Sequence, residues 1–192
     1  METLEDLFED GLRDIYYAEK AILKALPKMA KKVGHEELKA AFTEHVQMTN
    51  NQVQRLEQVF QMIGVKPRAK KCPAMDGLVA EAEELMKEAE DEDVRDAGLL
   101  GAAQSVEHYE ISRYGTLKAW AQRLGMDEAA QLLDETLQEE KETDAKLTML
   151  AEQAINAEAE SEEAEEDEDE EEATSSSRGQ GRAEVRAKSR HK

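Results

Sequence analysis

Apolar residues recur three and four apart in four long runs, and two of the joins between runs are marked by a single glycine, Gly34 and Gly125. The first stripe is Leu4, Leu7/Phe8, Leu12, Ile15, Ile22, Leu26, Met29 and Val33. The second follows at Leu38, Phe42, His45, Thr49, Gln52, Leu56, Phe60 and Ile63, and stops at Gly64. A third runs from about Val94 to Leu124 and a fourth from about Asp127 to Ala157. This spacing is that of an amphipathic helix with one face turned to a core. With aromatic residues at 4% and Ala, Leu, Glu, Lys and Gln dominant, no alternating strand pattern competes. The chain is predicted to be all-α.

Four helices of roughly 30 residues, each about 45 Å long, make a bundle. Thr3 with Asp6 three residues on gives the first helix a capping-box start, and Pro27 is expected to kink it. The joins at Gly34 and Gly125 are short enough only for antiparallel hairpins. The middle connection, "VKPRAKKCPAMDGLVAEAEELMKEAEDED", is long enough to travel the length of the bundle and holds a short amphipathic helix at roughly 76–90. The second and third long helices are therefore expected to run parallel, joined by one long crossover, rather than up-down-up-down.

After Ala157 apolar residues nearly vanish. Residues 158–172 hold twelve carboxylates in fifteen positions, and 173–192 are basic. We read 1–157 as the helical bundle and 158–192 as a disordered tail, acidic and then basic. The formal net charge of the chain is −20, of which residues 1–157 carry −13, and this makes the bundle a poor partner for phosphate backbones. Contact with nucleic acid is expected only through Arg178, Arg182, Arg186, Lys188, Arg190 and Lys192, against the plainer reading that the two tail blocks neutralise one another. No run approaches the roughly 18 apolar residues of a membrane span, and the N-terminus has no signal-peptide pattern. A cytoplasmic protein is expected. Cys72, the one cysteine, is expected to be an ordinary free thiol.

Each stripe is interrupted by polar residues, and the interruptions share a level. Glu19 falls between Ile15 and Ile22. His45, Thr49 and Gln52 sit on the second stripe, Glu107 and Glu110 on the row Ala103–Glu107–Glu110–Tyr114–Leu117, and Glu140 and Asp144 on the fourth. All lie near their helix midpoints, and in an antiparallel bundle midpoints meet. Several buried carboxylates need a cation or shared protons to compensate them. Carboxylates with one imidazole suit Fe(II) or Mn(II). Two readings follow: a central metal site, and a metal-free bundle whose polar network shares protons while its surface serves as an interaction platform. His108 and Tyr114 are expected to pack and hydrogen-bond rather than ligate.

The stretches "LFEDGLRDIYYAEKAILKALPKMA", "HVQMTNNQVQRLEQVF", "VRDAGLLGAAQSVEHYEISRYGTL" and "LDETLQEEKETDAKLT" resemble the YciE/YciF group of ferritin-like proteins over residues 3–155. The resemblance implies a ferritin-like four-helix bundle in a stress-related protein. It also implies a di-iron or single-metal site with ferroxidase chemistry, iron or manganese being the metal and dioxygen or peroxide the oxidant. It maps Glu19, His45, Glu107, Glu110, Glu140 and Asp144 as ligands, with Glu107 and Glu140 bridging if two metals bind, and it implies a homodimer formed through exposed helix faces. The sequence departs from the pattern in which two helices each supply Glu-x-x-His. The inward-facing stripe of the second helix has no carboxylate at the level of His45, and the fourth helix has no histidine.

Overall fold

The computed structural model describes residues 1–160. It contains α1 (Leu4–Ala30), α2 (Glu36–Met62), α3 (Pro73–Glu88), α4 (Glu92–Arg123) and α5 (Asp127–Leu150), with no strand among the described residues. The chain then passes through a π-helical turn, Ala151–Ile155, and stays helical to residue 160. The expected boundary at 157 thus falls inside a helix. Residues 161–192, the bulk of the expected tail, lie outside the described residues.

Cross-links between helices fix the topology. Tyr16 on α1 donates to Glu57 on α2, and its ring meets Phe60 edge-on at 5.5 Å. Along α2 and α5 the partners run in opposite order: Lys146 meets Glu44, Thr143 meets Met48, and Arg55 meets Glu139 and Thr136. Lys118 with Asp134 and Gln104 with Thr148 set α4 antiparallel to α5. The helices form a ring α1–α2–α5–α4 with antiparallel neighbours. The diagonal pair α2 and α4 is parallel, and the long crossover joins them, as the length of the connection predicts.

Helix ends follow local chemistry where the chain is exposed. Thr3 and Asp6 complete the expected capping box. Gly64 and Gly125 close α2 and α4 at φ of 73° and 72°, a region L side chains rarely adopt. Gly34 works differently. Its φ is not positive; its N–H, with that of His35, is taken by the carboxylate of Asp96 at 2.7–3.2 Å. His35, the N-cap of α2, makes no side-chain cap, so Asp96 from α4, itself buried, satisfies the start of α2 from outside. Helix α1 runs unbroken through Pro27, which sits exposed in its last turn.

The crossover helix α3 lies against α1 and α4. Its seat on α4 is Gly98, where an added Cβ would stand 2.5 Å from Leu85 Cδ1. Cys72 is buried at its N-cap and is not without partners: Sγ accepts from Met75 N–H and touches Tyr109 Oη at 3.0 Å. The long core is built from the predicted stripes, with Leu12, Ile15, Leu38, Leu56, Phe60, Leu99, Leu117, Leu133 and Leu147 almost wholly buried. Leu7, expected beside Phe8, is exposed while Phe8 is buried.

Candidate metal centre

Halfway along the ring the core turns polar. Glu19, His45, Thr49, Gln52, Glu107, Glu110, Thr136 and Glu140 are all buried among the apolar layers above and below. One ligating atom from each of His45, Glu107, Glu110 and Glu140 lies within 4.8 Å of the other three. Helix α2 supplies the nitrogen, α4 supplies two carboxylates one turn apart, and α5 supplies one. In the Glu-x-x-His pattern of di-metal bundles, Glu110 occupies the place of a histidine relative to Glu107, so oxygen replaces nitrogen there.

Glu19 stands behind this group on α1. The hydroxyl of Tyr114 donates to its Oε1, and the Glu110 carboxyl is near enough to influence its protonation. Asp144 is not brought into the group. Its Oδ1 accepts from Gln104 at 3.2 Å and lies 3.2 Å from Nε2 of the exposed His108. Sequence periodicity placed Asp144 one turn beyond Glu140, but the face of α5 has rotated toward α4's outer edge by that point. His108 and Tyr114 make the polar contacts expected of them.

Hydrogen bonding does not account for the interior. Of the ten buried side-chain atoms left without a partner among the described residues, eight sit at this level: Glu19 Oε2, His45 Nδ1, Gln52 Oε1, Glu107 Oε2, and both carboxylate oxygens of Glu110 and Glu140; the other two, Arg13 Nε and His35 Nδ1, lie elsewhere. Orphaned buried polar atoms are costly and uncommon, and here they gather in one place. Burial pushes all four carboxyls upward, and their mutual repulsion adds to it for Glu19, Glu110 and Glu140. Glu107 is pushed up to about 8 by burial, against the influence of the neighbouring Glu140 carboxyl, which lowers it. Burial lowers His45 to about 4. Removed from water, each group favours its neutral form. A divalent cation reverses that preference for all four carboxyls at once and binds His45 in the neutral form it already has.

Two residues that periodicity did not mark as part of the site complete its edge. Arg55 on α2 binds both oxygens of Glu139 at 2.6 Å and reaches Thr136, and Gln52 donates to the same carboxylate at 3.1 Å. The Arg55 charge also lowers Glu140. Glu139 lay inside a charge run with the look of a solvated face. Only the packing of α2 on α5 distinguishes it.

Residues 3–160 match a family described as a domain of unknown function, DUF892. The chain belongs to the DUF892 family. A relative, protein YciF of Escherichia coli K12, is 48% identical over 160 residues, covering 83% of this chain and 96% of that protein. The solved structure of the E. coli stress protein YciF superposes with a TM-score of 0.78 over 81% of this chain and 99% of that one. A protein named YcfI from Rhodopseudomonas palustris matches at 50% identity and a TM-score of 0.76, covering 77% and 94%. A two-domain protein of Anabaena variabilis, which contains a ferritin-like domain, shares only 23% identity and 39% of its length, at a TM-score of 0.54, and speaks for the fold alone. This DUF892 chain is thus a ferritin-like bundle of the YciF kind. No helix among its described residues is long and apolar enough to cross a membrane.

Proposed function

We propose that this chain is a metal-binding stress-response protein, its core holding iron or manganese through His45, Glu107, Glu110 and Glu140, with Glu19 behind them. Fe(II) held there is oxidised by dioxygen or peroxide. The observation that carries this reading is the gathering of unpartnered buried oxygens and one unpartnered imidazole nitrogen at the bundle's midpoint. The donor set fits: neutral imidazole and carboxylate oxygens suit Fe(II) and Mn(II). Bound iron would supply the one-electron chemistry that these side chains lack.

The chain's own residues do the rest. The neutral imidazole of His45 offers a lone pair without first losing a proton. Glu107, Glu110 and Glu140 release protons as positive charge arrives, which keeps the interior close to neutral. Tyr114 holds Glu19 in one orientation, and the apolar layers exclude bulk water. The E. coli relative is described as a stress protein, which supports that part of the reading. We extend it to a cytoplasmic homodimer. Contact of residues 178–192 with nucleic acid would fall steeply with salt and vanish on removal of 173–192.

The decisive experiment is metal content by mass spectrometry after anaerobic reconstitution with Fe(II) or Mn(II), followed by absorption spectra on adding oxygen or peroxide. Expected are one to two metals per chain and, for iron, a near-ultraviolet band that grows with oxidant. Retention of metal by the combined Glu107→Ala and Glu140→Ala variant would sink the assignment. One observation favours a second reading: Glu107 and Glu140, and likewise Glu19 and Glu110, are near enough to influence one another's protonation. That is the placement of carboxyls sharing protons, so a metal-free bundle that works by binding partners is also coherent. In that case chelators would leave the melting temperature unchanged.

A further inference from the structure

Two cavities reach the buried His45, from opposite sides, and they differ in character. One is a narrow apolar space of about 30 Å³ between α1, α3 and α4, walled by residues such as Ile22, Val79, Ala82, Ala102 and Val106 and touching Glu107. The other is a groove of about 180 Å³ between α2 and α5. Glu44, Glu142 and Lys146 line it and are exposed, Met48 and Thr143 are half-buried, and His45 is 5% exposed. Its Nδ1 has no partner.

We propose that divalent cations reach the central group through the groove between α2 and α5, with Glu44 and Glu142 gathering the ion at the mouth and Lys146 restraining it there. This rests on the metal-binding reading above and adds the path by which the metal arrives. A hydrated dication does not fit an apolar space of about 30 Å³ without shedding water along walls that are apolar until His45 and Glu107 are reached. In the groove, carboxylates at the mouth, the Thr143 hydroxyl and Met48 sulfur on the walls, and His45 at the floor offer successive partners. Thr143 Oγ1 on α5 stands 3.8 Å from Met48 Sδ on α2, which places these two soft and polar atoms side by side in the groove.

Lys146 sets the resting state of the mouth. Its Nζ lies 2.6 Å from Glu44 Oε2, with both side chains half or more exposed. An ion pair this open is weak and exchanges readily with water and salt. It neutralises Glu44 until a cation competes for the carboxylate. Glu142 keeps a negative charge beside it, and the acidic mouth raises the local cation concentration.

The test is the rate at which metal-free full-length protein takes up Co(II), followed by the visible absorption of the bound ion in a stopped-flow instrument. At low salt, the Glu44→Gln, Glu142→Gln double variant should load about threefold to tenfold more slowly. Lys146→Gln should load faster by a similar factor. Final amplitude should be the same in all, and the differences should shrink at high salt. Ala82→Val, which narrows the apolar cavity, should load at the wild-type rate. Equal rates for wild type and groove variants, with full amplitude, would overturn the path alone, as would slowing by Ala82→Val. Absence of any Co(II) signal in the wild type would overturn the metal site and the path together.

Discussion

His45 Nε2 on α2 lies 3.4 Å from Glu107 Oε1 on α4, and at neutral pH the two are not an ion pair. Burial holds the imidazole down to about 4 and the carboxyl up to about 8, so both are neutral in between. The contact is geometry without charge. It is the arrangement expected of ligands waiting for a cation.

That neutrality makes the stability of the metal-free protein depend on pH. Glu107 has a folded pKa above its unfolded one, so the folded state holds the extra proton. Its contribution is full below pH 4.5 and is lost as pH rises toward 8. Glu19, Glu110 and Glu140, also raised, act in the same direction. His45, lowered, acts oppositely, its contribution being lost as pH falls from about 6.5 to 4. The carboxyls outnumber it. Metal-free protein should lose melting temperature steadily between pH 6 and 8.5, at up to about 1.4 kcal/mol per pH unit for each carboxyl still protonated. Saturating Mn(II) should abolish the loss, and calorimetry in two buffers of different ionisation heat should register proton release on binding.

Glu140→Gln keeps the shape of the side chain and removes its charge. Outer partners of metal ligands are worth about 10–100-fold in affinity, so loss of an inner carboxylate should weaken Mn(II) or Co(II) binding by at least about 100-fold. The metal-free variant should be as stable as wild type at pH 6 and more stable at pH 8.5. Asp144→Asn, at a residue held by Gln104 and near His108 outside the group, should change affinity by less than about tenfold. Titration of both variants side by side checks the contrast.

Tyr114→Phe removes the one hydroxyl that satisfies Glu19 Oε1. Leaving a buried acceptor unpaired costs about 1–3 kcal/mol, so denaturant midpoints should fall accordingly. Metal affinity should fall by about tenfold or more, because Glu19 loses its fixed orientation. A purely structural tyrosine would show the first effect without the second.

Asp96→Ala tests the cap that α4 lends to α2. Two backbone donors, of Gly34 and His35, lose their acceptor, and a buried gap is left. Chemical denaturation should show a loss of about 1–3 kcal/mol. Because Asp96 is far along α4 from the Glu107 level, the number of metals bound by the folded variant should stay the same.

Periodicity carried most of the fold. Three- and four-residue spacing located the four long helices, and the length of the crossover gave the parallel diagonal of α2 and α4. It also placed Glu19, His45, Glu107, Glu110 and Glu140 at one level, since residues near helix midpoints meet wherever neighbours are antiparallel. Periodicity was blind to rotation about the helix axis. Asp144 and Glu140 share a stripe on paper, but one turn is enough to carry Asp144 to the α4–α5 seam. Cys72 had no visible partner in sequence because Tyr109 is 37 positions away.

The amino-acid sequence by itself determined that this chain makes long amphipathic helices, roughly where they stop, and that Glu19, His45, Glu107, Glu110 and Glu140 face inward, because these depend on neighbours within one or two turns. Tertiary structure alone decided which inward-facing groups touch, which face of α5 meets α2, and that Glu139 closes the site with Arg55 while Asp96 caps a helix it does not belong to. Those contacts depend on the crossing and rotation of whole helices, which are set by the summed packing of the core and by no single stretch of residues.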